Sequence, residues 1–168
     1  MISKKLEEAI NEQINKELYS EYLYLAMAAH FDSVDLPGFA NFFKIQVQEE
    51  RFHAMKFYDF LNERGGKVVL KKIDKPQTEF ESPLDIFKIS YKHEQYVSDL
   101  INKLMDLAIA ENDHAVRSFL NWYVDEQVEE EASMSKVVNQ LKWINGQGNG
   151  LLMLDKELAT RVFTPPAK

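Results

Sequence analysis

Long stretches without a helix breaker constrain this chain most. Its 168 residues include only 6 glycines and 5 prolines. Between these breakers, apolar residues recur at the three- and four-residue spacing of helices that bury one face. Four long segments and one short one result. The first runs from Ser3, an N-capping residue type, to about Phe31. The second begins near Asp35, carries Pro37 in its first turn and stops at Gly65-Gly66. The third opens on the capping box Ser82-Pro83-Leu84-Asp85 and runs to about Asn112-Asp113. The fourth continues to Asn145-Gly146, and a short fifth, about Gly150 to Arg161, follows a glycine-rich turn. Residues 162–168 are expected to form a flexible tail.

Helices of about 28 residues are roughly 40 Å long. The links joining the first segment to the second and the third to the fourth are short, so each pair is antiparallel. The link from Gly65 to Ser82 can run the length of a bundle. The predicted fold is all-α: an antiparallel four-helix bundle over about residues 3–145, with one long crossover and a short fifth C-terminal helix, in a single domain spanning 1–168. Val68-Val69-Leu70 has the composition of a strand but no second strand to pair with, and is assigned to the crossover.

Composition narrows the function. Cysteine is absent, which excludes disulfides, thiolate metal sites and cysteine nucleophiles, and fits a cytoplasmic location. The N-terminus has no signal-peptide core, and no apolar run reaches the roughly 20 residues needed to span a bilayer. A net charge of -7 disfavours nucleic acid as a partner, because phosphate binding requires a basic surface. Neither nucleic acid nor membrane is therefore expected.

The inward seams carry the chemistry. The second segment reads Leu36, Phe39, Phe43, Gln46, Glu50, His53, Phe57, Phe60, and the fourth reads Val116, Leu120, Tyr123, Gln127, Glu130, Met134, Val137. Glu17 interrupts the first seam and Glu94 the third. All these interruptions fall near the middles of their helices, so in an antiparallel bundle Glu17, Glu50, His53, Glu94, Gln127 and Glu130 converge at one height. Four buried carboxylates require positive charge, and no lysine or arginine lies on the seams at that level. Two divalent cations balance them. The spacing repeats: 33 residues separate Glu17 from Glu50, and 33 separate Glu94 from Gln127. His53 and Glu130 each follow three positions on, on the same helical face. The chain thus reads as two copies of one metal-binding hairpin, with a satisfied polar cluster as the alternative.

Specific stretches add a resemblance. Glu17-Leu18-Tyr19-Ser20, Gln48-Glu49-Glu50 with His53-Ala54, Arg64-Gly65-Gly66, His93-Glu94, and Trp122 followed by Glu126-Gln127-Val128-Glu129-Glu130-Glu131 resemble the non-haem ferritins of bacteria and archaea over nearly the full length. The second motif is Gln127-x-x-Glu130 rather than a second E-x-x-H. Arg51 stands where the haem-ligating methionine of bacterioferritins would follow the bridging glutamate. No haem is expected.

The resemblance implies a ferritin-like fold, iron storage and ferroxidase activity, with Fe2+ oxidised by oxygen or hydrogen peroxide. It implies a di-iron centre in which Glu17, Glu50 and His53 hold the first iron. Glu50 bridges to a second iron held by Glu94 and Glu130, and Gln127 lies beside it. Glu49, Glu126 and Glu129 match a third iron site. Tyr24 matches a tyrosine beside the centre, and Trp122 an aromatic electron source. The fifth helix implies self-assembly into a homo-24-mer. Plain aromatic packing also fits Tyr24 and Trp122, and a solvated acidic face fits Glu49, Glu126 and Glu129. His30, His93 and His114 are expected at the surface or at helix ends. A helical assembly module with a degenerate site, and a di-iron oxidase of an organic substrate, remain alternatives.

Overall fold

The computed structural model describes residues 2–165. Five helices follow in order: α1 (Lys4–Ser33), α2 (Pro37–Glu63), α3 (Pro83–Ala110), α4 (His114–Ile144) and α5 (Gly148–Leu158). No strand occurs among the described residues, and the crossover between α2 and α3 is irregular, Val68-Val69-Leu70 included. Side chains cap three of the helix N-termini. Ser3 Oγ accepts from Leu6 N, Ser82 Oγ from Asp85 N, and Asp113 Oδ1 from Val116 N. The α2 C-terminus closes on Gly65, whose φ of 73° places it in the left-handed region, while Gly66 N donates to Leu61 O at 2.9 Å. Arg64 then forks onto Asp113, with Nη1 to Oδ1 at 3.0 Å and Nη2 to Oδ2 at 2.8 Å. One arginine therefore ties the end of α2 to the start of α4.

The N-terminus of α2 is finished by a remote residue. Leu36 offers no side-chain cap. Asp155 of α5 instead accepts from Gly38 N at 2.8 Å and Phe39 N at 3.0 Å. That approach requires glycine, since a Cβ at position 38 would lie 1.6 Å from the Asp155 carbonyl oxygen. The fifth helix starts two residues earlier than expected and ends at Leu158 rather than Arg161. Asn41 Nδ2 donates to the carbonyls of Leu158, Ala159 and Arg161 and draws the chain off its helical path. Within the expected flexible tail, residues 162–168, the Phe163 ring lies 6.4 Å from that of Phe52. Residues 166–168 lie outside the described residues.

Two apolar clusters fill the bundle. One holds Tyr24, Met27, Phe31, Phe39, Phe43, Phe87 and Met134, and α5 contributes Leu154 and Leu158. The other holds Leu6, Ile10, Phe57, Leu61, Ile101, Leu120 and Tyr123. Each fully buried phenylalanine contributes about 1.5–3 kcal/mol of burial energy. Stability thus resides at the two ends, and the polar residues occupy the level between them.

Candidate metal centre

Each long helix contributes a polar residue at its middle to one buried layer. Glu17, Glu50, His53, Glu94, Gln127 and Glu130 are all buried. Of the six that the sequence expects at one height, Glu17, Glu50 and His53 form one group and Glu130 joins His53 in another, while Glu94 meets Gln127 and lies outside both. Ligand atoms of Glu17, Glu50 and His53 lie within 4.8 Å of one another, as do those of His53, Glu126 and Glu130. His53 belongs to both groups. Its Nδ1 is 3.7 Å from Glu50 Oε2, and its Nε2 is 3.7 Å from Glu126 Oε1.

The remaining carboxylates are held by neutral donors. Tyr24 donates its hydroxyl to Glu94 Oε1, and Gln127 Nε2 donates to Glu94 Oε2 at 3.2 Å. Gln46 Nε2 donates to Glu130 Oε2 at 2.9 Å, and Gln13 Nε2 to Glu17 Oε1 at 2.8 Å. Tyr123 donates to the His53 carbonyl at 2.8 Å and stacks on Phe57, which fixes the α2 backbone beneath the imidazole. Gln13, Gln46 and Tyr123 were not assigned roles from the sequence. The available signal was that each sits four residues before a site residue (Glu17, Glu50 and Gln127), one helical turn along the same face.

Burial governs the electrostatics. It raises the Glu17 pKa, and it raises Glu50 well above the usual carboxylate range. Glu94 is pushed up to about 8 by burial, then by the charge of Glu130. Glu130 is pushed up to about 7 by burial, then by Glu49. Burial pulls the His53 pKa down, but the carboxylates of Glu126 and Glu50 outweigh it and leave it well above the ordinary value. Glu17 Oε2 is buried with no hydrogen-bond partner, an orphaned acceptor that a bound cation would satisfy. Oxygen and imidazole donors around buried negative charge suit divalent iron. The residues present therefore fit a pair of metal ions.

The outer acids behave differently. Glu126 and Glu49 are half-buried and Glu129 is exposed. Glu49 Oε2 accepts from Arg161 Nη2 at 2.7 Å, a contact that joins residues 112 apart and left no trace in the sequence pattern. Trp122 stands 5.4 Å from the His53 ring, with Lys56 Nζ 4.7 Å above its face. One expectation is corrected. His93 is not a surface residue but half-buried, hydrogen-bonded to Ser20 at 2.8 Å and edge-on to Tyr24. Burial, then Lys16, lowers its pKa to about 4, so it is neutral. His30 packs against Phe31 and Phe80, and His114 is exposed.

The chain is similar to known proteins. The model of the Ferritin-like domain family matches residues 7–144. The chain belongs to the ferritin family. Among curated ferritin relatives, the bacterial non-heme ferritin of Staphylococcus aureus is 44% identical over 163 residues, covering 97% of this chain and 98% of that one. The counterpart from Staphylococcus saprophyticus is 45% identical over the same shares. Among solved ferritin structures, the open pore ferritin from the hyperthermophilic archaeon Archaeoglobus fulgidus superposes with a TM-score of 0.96 at 50% identity, covering 96% of this chain and all of that one. Among the described residues, no helix is long and apolar enough to cross a membrane.

Proposed function

We propose that this chain oxidises Fe2+ at a dinuclear centre inside each subunit and stores the ferric product within an oligomeric shell in the cytoplasm. The observation that carries this reading is the buried layer of Glu17, Glu50, His53, Glu94 and Glu130, with no lysine or arginine in it. Iron is the substrate. Glu17, Glu50 and His53 take the first ion. Glu50 is shared with a second ion bound by Glu94 and Glu130, and Gln127 lies beside it. A shared carboxylate holds two metals about 3.5–4 Å apart. Each Fe2+ gives up one electron, so two Fe2+, one O2 and two protons yield two Fe3+ and one H2O2, and hydrogen peroxide serves as an alternative oxidant.

The protein's residues manage the charge. Metal binding displaces the protons that burial keeps on Glu94 and Glu130. Tyr24, its own pKa raised by burial and then by Glu94, stays protonated and orients the Glu94 carboxylate. Glu49, Glu126 and Glu129 form an outer position on the way out. Leu152 and Met153 of α5 are exposed on the face turned away from the bundle. A face of this kind supports assembly through the fifth helix, as in a 24-subunit shell. The reading assigns no part to haem: Arg51, the residue after Glu50, is paired with Glu21 at 2.8 Å.

Native mass measurement combined with iron content after aerobic loading tests the reading. The expected result is a closed oligomer holding many more ferric ions than binding sites. A normal oligomer without stoichiometric iron would favour an assembly module. Two metals per subunit with no stored core would favour an oxidase of an organic substrate.

A further inference from the structure

The segment after α5 turns back along α2 toward the metal centre. Asp155 caps the first turn of α2, Asn41 holds three carbonyls between Leu158 and Arg161, and Phe163 packs on Phe52. The Phe52 ring in turn faces His53 at 6.4 Å and Trp122 at 5.9 Å. Between these anchors the Arg161 guanidinium lies flat enough on Phe42 to place its carbon 4.4 Å from the ring centroid. Its Nη2 meets Glu49 Oε2 at 2.7 Å, and its Nη1 is buried without a hydrogen-bond partner. This positive charge favours the ionised forms of both Glu49 and Glu130. A fixed cation thus stands at the edge of the acidic group whose members Glu126, Glu130 and His53 already lie at metal-ligand separation.

We propose that Arg161 sets the metal affinity of the outer position by competing with the metal for Glu49. The inference rests on the reading of Glu49, Glu126 and Glu129 as an iron position. A guanidinium and a divalent ion on one carboxylate repel each other, and a bidentate metal contact needs the oxygen that Arg161 holds. Metal at the outer position therefore displaces Arg161 and loosens the segment from Ala159 to Phe163. The inner pair fills first, and iron passing outward is held only briefly. The inner ligands Glu17 and Glu50 keep their affinity, because Arg161 does not touch them.

Zinc ion, which is redox-inert and accepts carboxylate and imidazole ligands, is the probe. The assembled, metal-free wild-type protein, Arg161→Gln and Arg161→Lys are titrated with Zn2+ by calorimetry. Hydrogen exchange at the amides of Ala159, Thr160 and Arg161 is followed in parallel on the wild type. The weakest binding step should tighten roughly tenfold in Arg161→Gln, the order expected for removing a nearby like charge in a partly solvated setting. Arg161→Lys, which keeps the charge, should bind like the wild type. The three amides should exchange faster once that step is filled. An unchanged or weakened step in Arg161→Gln would overturn the inference, as would equal behaviour of the Gln and Lys variants, which would make packing on Phe42 the cause. Two strong steps and no weaker one in any of the three proteins would remove the outer position itself, and the inference with it, while leaving the inner pair intact.

Discussion

The two sides of the centre occupy matching places in two similar hairpins, yet they are built from different groups. On the first side, Glu17, Glu50 and His53 already bring their ligand atoms within 4.8 Å of one another, with the imidazole between carboxylates. On the second, Glu94 is held by Tyr24 and Gln127, and Glu130 by Gln46. A metal arriving at the first side finds ligands facing each other. At the second side the carboxylates are oriented by three neutral donors, against the single donor Gln13 on Glu17, and at both sides metal must displace the protons that burial favours. We propose that the equal spacing of the sequence hides an unequal pair: a tighter first position that holds the imidazole and a looser second one beside Gln127.

The largest test of that comparison removes the tighter side. Glu50→Ala combined with His53→Ala should slow the rapid phase of Fe2+ oxidation by at least about a hundredfold, since even residues that only support a ligand change metal affinity by roughly 10–100-fold. Stopped-flow absorbance on the assembled variant reads it, and near-normal kinetics would place the chemistry elsewhere. Next, the supporting amides separate the sides. Gln13→Leu should weaken the first Zn2+ step, and Gln46→Leu the second, each by about tenfold. If both variants alter the same step in calorimetry, the two positions are not distinct.

The pH dependence of the metal-free protein comes next. A carboxyl group whose pKa is raised on folding binds its proton more tightly when folded. Its contribution to stability is full below about pH 4.5, the ordinary value, and is lost as pH rises through about 7 for Glu130 and about 8 for Glu94. The thermal midpoint should therefore fall across that window. Saturating Zn2+ should remove the fall, because metal needs the ionised carboxylates. A midpoint that rises with pH in the metal-free protein would contradict the burial of unpaired acids. The smallest effect is expected from Tyr24→Phe. It removes one of the donors to Glu94 and should cost about 1–2 kcal/mol in denaturant unfolding, while the two Zn2+ steps remain.

The helices and the buried layer were legible because both are written in local periodicity. Scarce glycine and proline, caps such as Ser3, Ser82 and Asp113, and polar breaks in apolar seams all act within a few residues. What stayed hidden depends on contacts between distant residues. Nothing near Leu36 announces that Asp155 will cap α2, and nothing near Glu49 announces Arg161. His93 escapes the seam pattern because it lies one position off its seam. It nevertheless faces Ser20 of α1, where helix packing encloses it. Gln46 was visible on its seam, but only the fold reveals that it serves Glu130 across the bundle rather than Glu50 on its own helix.

The central claim is a pair of iron positions per chain that act together on one oxidant. Metal-free protein is loaded anaerobically with increasing Fe2+ and then mixed with oxygen, with the rapid absorbance change and the oxygen uptake recorded together. The rapid amplitude is expected to saturate at two Fe2+ per chain, with one O2 consumed for each pair. Saturation at one Fe2+ per chain, or no rapid phase at any loading, would contradict it.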